Sequence, residues 1–146
     1  MVDYVFDTTG LLQVYDESAN NYSWDAFVKV CHERRLYYAE QCSRELSALS
    51  TTTKEKSKVL KGADGFSDGK VNPPTTVRGR ARAIRKMSGG SRLDDKDVWT
   101  LAIAETYGAT LVSERGSREF QRVQKFCNHL NITVISFRDF VAAEGA

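Results

Sequence analysis

The chain has 146 residues, 41% of them hydrophobic, with 21 Lys and Arg against 19 Asp and Glu for a net charge of +2. That length fits one domain, and that apolar share excludes a disordered chain. No apolar run nears the roughly 18 residues of a membrane span, and three cysteines without C-x-x-C spacing (Cys31, Cys42, Cys127) exclude a disulfide framework and a thiolate zinc site.

The chain opens on Met1-Val2-Asp3-Tyr4, without the basic and apolar regions of a secretion signal. With the sparse cysteines, this predicts a reducing, cytoplasmic setting. Val2–Phe6 reads as a buried strand ending at Asp7. Trp24, Phe27, Val28 and Cys31 recur at helical spacing, so a helix is expected at about 23–34. Leu36–Ala39 reads as a second strand, and 41–50 as a helix with Cys42, Leu46 and Leu49 inward. Residues 62–76, rich in Gly and Pro, read as a long loop. Val77–Met87 reads as a short helix with a basic face, since Val77, Ala81, Ile84 and Met87 alternate with arginines. Asp94–Tyr107 is the clearest helix, with Gly108 at its C-terminal cap. Ala109–Val112 follows as a strand, then a helix at Arg118–Leu130, a strand at Thr133–Ile135 and a closing helix at Phe137–Ala143. Strands separated by helices predict an α/β domain with a mainly parallel sheet.

The small net charge hides an uneven distribution. Residues 51–92 hold eleven basic residues against three acidic ones, a net +8, so the other 104 residues carry −6. A basic segment in an acidic body is either a solvated surface or a polyanion contact. Arg78, Arg80, Arg82, Arg85 and Lys86 are the candidates for holding nucleic acid.

Ligands of parallel α/β sheets bind outside the C-terminal strand ends. Asp7 stands at one such end and Glu114 two residues beyond another. Asp97 opens the long helix, and Glu45 lies one turn into the helix after the second strand. Gathered at one edge, these carboxylates repel one another, and Mg²⁺ or Mn²⁺ is the natural compensation. Each acid also has a plain structural role open to it. Asp7 can cap a turn, Asp97 can complement a helix dipole, Glu45 can face solvent, and Glu114 can pair with Arg115 or Arg118.

Tyr4-Val5-Phe6-Asp7-Thr8-Thr9-Gly10-Leu11-Leu12 resembles the opening of PIN-domain nucleases. The run from Asp97-Val98-Trp99-Thr100-Leu101-Ala102 through Tyr107-Gly108-Ala109-Thr110-Leu111-Val112-Ser113 is similar to that family's Asp, apolar helix, Gly-Ala, apolar strand and hydroxyl residue. Glu45-Leu46 resembles its second acid. The likeness covers about 1–50 and 93–140, leaving 51–92 as a basic insert within one PIN-like domain spanning 1–146. It implies a three-layer α/β/α sandwich that cleaves RNA with Mg²⁺ or Mn²⁺, as in the VapC-like toxins of toxin–antitoxin pairs. By position, Asp7, Glu45 and Asp97 become metal ligands. The family's fourth acid falls at Arg115, so Glu114 is the fourth ligand of a subgroup using Glu in that loop. Thr9 replaces the family's usual Asn, and Thr8 and Ser113 become supporting polar groups. The resemblance also implies an antitoxin partner and a homodimer. Two other readings compete. One is a catalytically inactive module of the same fold, binding RNA or a partner. The other is a phosphatase with Asp7 as nucleophile, which lacks the second Asp its chemistry needs at Thr9.

Overall fold

A computed structural model describes residues 2–48, 51–89 and 93–145 of the chain. In chain order the elements are β1 (Tyr4–Phe6), α1 (Thr8–Asp16), α2 (Asn21–His32), β2 (Leu36–Ala39), α3 (Glu40–Ala48) and α4 (Thr51–Lys61). A 3₁₀ turn (Phe66–Gly69) leads to β3 (Lys70–Val71), α5 (Thr75–Ser88) and α6 (Asp95–Tyr107). The chain continues with β4 (Thr110–Val112), α7 (Arg118–His129), β5 (Val134–Ile135) and α8 (Phe137–Glu144). Among the described residues no helix is long and apolar enough to cross a membrane.

The strands form one parallel sheet in the order β3-β2-β1-β4-β5. Alternation along the strands divides the core into two layers. Tyr4, Phe6, Leu36, Tyr38 and Val112 face α1, α2, α4 and α8, where Phe27, Leu60, Phe137 and Phe140 are buried. Val5, Ala39 and Leu111 face α5, α6 and α7, where Ile84, Leu101, Ile103 and Val123 are buried. The result is the expected three-layer α/β/α sandwich. Phe6 anchors the first layer by edge contacts to Phe27 and Phe140, with ring centres 5.7 and 5.1 Å apart.

The order of the strands decides where a ligand can bind. From β1 the chain moves outward through β2 to β3, then returns over the sheet to place β4 on the other side of β1. The connections therefore diverge at β1 and β4, the switch point beyond whose C-terminal strand ends sheets of this kind form their ligand crevice.

Three segments differ from the sequence reading. Residues 62–76 are not one long loop, because Ala63 and Phe66 are buried and β3 pairs with β2. The turn is possible because Gly65 takes φ 76°, where a Cβ would also lie 2.3 Å from the Cys31 carbonyl oxygen. Residues 51–89 are part of the sandwich: α4 contributes Leu60 to one layer, and α5 contributes Val77, Ala81 and Ile84 to the other. Helix α1, unrecognised in the sequence, begins directly after Asp7. Helix α3 has Cys42 and Leu46 buried as expected, while Leu49 lies outside the described residues, as does Arg92 of the basic segment.

Candidate active site

Phe6 pairs in register with Val112, so Asp7 and Ser113 leave the sheet side by side at the crevice. Asp7 is the N-cap of α1. Its Oδ1 accepts hydrogen bonds from the Gly10 amide at 2.8 Å and the Thr9 hydroxyl at 2.7 Å, and Oδ2 accepts one from Ser113 Oγ at 2.5 Å. Thr9 Oγ1 lies 3.2 Å from Ser113 Oγ and accepts the Glu114 amide at 3.0 Å. These contacts join the first turn of α1 to the end of β4. Gly10 permits the approach, since a Cβ there would lie 2.4 Å from the Val112 carbonyl oxygen. Asp7 is only 3% exposed. Burial pushes its carboxyl up, to about 6, against the lowering effect of the Ser113, Gly10 and Thr9 hydrogen bonds.

Asp97 reaches the same crevice from the first turn of α6 and is 2% exposed. Its Oδ2 accepts the Asp94 amide at 3.1 Å, a capping contact, and Arg122 Nε at 3.2 Å. Burial raises this carboxyl too, opposed by the Asp94 amide and Arg122. Glu45, half-buried on α3, pairs with Lys96 Nζ at 2.6 Å. Lys96 stands 3.5 Å from Asp94 and 3.4 Å from Glu119 Oε1.

Glu119 is the acid the sequence reading missed. It lies in the first turn of α7, 6% exposed, and its Oε1 has no hydrogen-bond partner, the nearest cation being Lys96 Nζ at 3.4 Å. Burial pushes its carboxyl up to about 8, with the charges of Asp7, Asp97 and Glu45 adding to the rise and Lys96 opposing it. A signal for it was present. Ser117 caps α7, and α7 follows the strand that carries Ser113. The helix-start argument that selects Asp97 applies equally to Glu119.

The other candidates are distributed as follows. Glu114 is exposed, and its carboxylate forms no hydrogen bond or ion pair among the described residues. Thr8 is buried, and its Oγ1 has no hydrogen-bond partner among the described residues. Arg78, Arg80, Arg82, Arg85 and Lys86 all lie on the exposed side of α5. Arg80 pairs with Glu105 and Arg85 with Asp95, so α5 runs antiparallel to α6. Arg85 also lies 5.3 Å over the Trp99 ring. Arg78, Arg82 and Lys86 have no ion-pair partner among the described residues. The histidines stand apart from the crevice, with His32 paired to Asp64 on the surface.

The acids at the crevice offer only carboxylate oxygens, which suits a hard divalent cation, and the raised Asp7 and Glu119 carboxyls mean that ionising them all together is unfavourable unless a cation joins them. Among the described residues no three acidic, histidine or cysteine side chains already stand close enough to hold a metal ion. Lys96 stands against Glu45 and Glu119, and Arg122 against Asp97 and Asp94.

Two solved structures share this architecture. A DNA-bound VapBC from Salmonella typhimurium superposes with a TM-score of 0.68 at 16% identity, covering 94% of this chain and 99% of that one. PAE2754 from Pyrobaculum aerophilum superposes with a TM-score of 0.61 at 16% identity, covering 97% and 94%. The chain has the PIN-domain fold. No protein-family profile matches the sequence, and neither does any curated protein. The likeness covers more of the chain than the segments that the sequence motifs matched.

Proposed function

We propose that the chain is a metal-dependent endoribonuclease and the toxin of a toxin–antitoxin pair. One observation carries the reading. Asp7, Asp97 and Glu119, all buried, stand with Glu45 beyond β1 and β4, and burial holds the carboxyls of Asp7, Asp97 and Glu119 above the ordinary range. Buried acids with perturbed protonation in a crevice mark functional sites. The likeness to a VapBC complex supports the toxin role and an antitoxin partner.

Asp7, Glu45, Asp97 and Glu119 would hold Mg²⁺ or Mn²⁺, and Glu114 lies at the rim. Such an ion neutralises the phosphodiester and lowers the pKa of water. The Ser113 and Thr9 hydroxyls and the Gly10 amide fix the Asp7 carboxylate in one orientation. Arg122 does the same for Asp97. Arg78, Arg82 and Lys86 on α5 would grip the RNA backbone.

The test is cleavage of a structured RNA with Mg²⁺, Mn²⁺ or chelator, using wild type, Asp7→Asn and Asp97→Asn. Cleavage that needs the metal and both acids supports the reading. A second reading, an inactive RNA- or partner-binding module, is favoured by Lys96, which already compensates Glu45 and Glu119. RNA binding with no metal-dependent cleavage would select it.

A further inference from the structure

Lys96 is out of place by ordinary rules. Lysine rarely leaves solvent, yet this side chain is only 17% exposed. It also occupies the first turn of α6, where the helix dipole disfavours a cation. Its ammonium donates a hydrogen bond to Glu45 and stands beside Glu119. Its position is thus set by the acids around it. The ammonium is 2.6 Å from Glu45 and 3.4 Å from Glu119, oxygens that a divalent cation would also need. One single charge serves both and leaves Glu119 Oε1 without a hydrogen bond. At the rim, Asp94 is 57% exposed and 3.5 Å from the same nitrogen, a second partner toward solvent.

We infer that the Lys96 ammonium is a built-in counter-ion that competes with divalent cations for Glu45 and Glu119, and that metal binding drives it outward to Asp94. The inference rests on the reading that these acids bind metal. It makes Lys96 a residue that sets metal affinity without touching substrate. The four-carbon stem lets the ammonium swing while its backbone stays in α6. In its outer position the charge remains near the crevice and no longer blocks it.

The test is Mn²⁺ titration by calorimetry, without RNA, of wild type, Lys96→Met and Lys96→Arg. Removing a positive charge in contact with two ligands should tighten Mn²⁺ binding about tenfold or more in Lys96→Met. Lys96→Arg keeps the charge and should stay close to wild type. A second measurement uses the wild-type chain alone: acylation of Lys96, read by mass spectrometry, should rise severalfold when Mn²⁺ is added. It decides the matter if Lys96→Met does not fold. Wild-type Mn²⁺ binding with equal or weaker binding by Lys96→Met, or unchanged Lys96 acylation, overturns the inference and leaves the metal reading standing. No Mn²⁺ binding by any of the three proteins overturns both.

Discussion

Replacing Glu119 by Gln separates the buried acid from the exposed Glu114 and sets stability against activity. In the folded chain the Glu119 carboxyl rises from its ordinary 4.5 to about 8, first through burial and then through the charge of Asp7. At pH 7 the unfolded chain ionises this group while the folded chain keeps it mostly protonated. At about 1.4 kcal/mol per pKa unit, that difference costs the fold at most about 3.5 kcal/mol. The cost is absent below pH 4.5, grows as pH rises through that value and is complete above about 8. Glutamine keeps the shape and removes the titration. Allowing for relaxation around the site, Glu119→Gln should stabilise the metal-free protein by about 1–3 kcal/mol at pH 7.5 and very little at pH 4. The melting temperature should rise by about 3–8 °C at the higher pH. The same substitution should abolish Mn²⁺-dependent RNA cleavage and the stabilisation by Mn²⁺, while Glu114→Gln changes neither. Thermal melts at the two pH values, with and without Mn²⁺, and a gel cleavage assay measure all of this. A Glu119→Gln protein that melts below wild type at pH 7.5, or cleaves at the wild-type rate, refutes the reasoning.

Other substitutions examine other parts of the chain. Gly10→Ala puts a Cβ 2.4 Å from the Val112 carbonyl oxygen, so α1 must move; the expected loss is about 1–3 kcal/mol in urea denaturation, and an unchanged midpoint would contradict it. Changing Arg78, Arg82 and Lys86 together to Gln should flatten the log–log salt dependence of RNA binding by about 2 units. Arg80→Gln, which loses the Glu105 pair, should alter that slope much less; equal slopes would count against the division. At the opposite end of the sheet, Glu144 accepts a hydrogen bond from Tyr4 and pairs with Arg35, and the Arg35 hydrogen bond holds its carboxyl down at about 2. A depressed carboxyl stabilises above its unfolded value of about 4.5 and stops doing so as pH falls toward 2. Glu144→Gln should therefore cost about 2–3 kcal/mol at pH 6 and converge on wild type near pH 2, measured by denaturant titration.

Much of the framework was legible in the sequence because its signals are local. The apolar runs at Tyr4–Phe6 and Thr110–Val112 are strands, and the stripe from Val98 to Ile103 is a helix ending at Gly108 with φ 62°. Asp7 and Asp97 stood out because each closes a strand or opens a helix at the ligand-binding edge. The missed elements depend on distant partners. Thr8-Thr9-Gly10 are poor helix formers, and α1 is held by the Asp7 cap and by burial of Leu11 and Val14. Helix α4 is mostly Lys, Ser and Thr, with Leu60 as its fully buried apolar anchor. Strand β3 is two residues long, too short for any period, and exists because β2 offers an edge. Glu119 was passed over because the family pattern drew attention to the loop before α7. Its burial depends on α6 and α7 closing over the same crevice, and the three-dimensional structure reveals it.

The central place of β1 has a consequence for how the protein comes into being. Asp7 directly follows the first strand, while Ser113 follows β4 and Glu119 lies in the first turn of α7. During synthesis the first strand can find β2 early, but its other edge stays bare until the chain has extended past β4. No nascent fragment ending before α7 can gather the acids, whatever else has folded. The four acids are thus brought together only when synthesis is nearly done, and a chain cut between α6 and α7 would leave Asp7, Glu45 and Asp97 on one piece and Glu119 on the other.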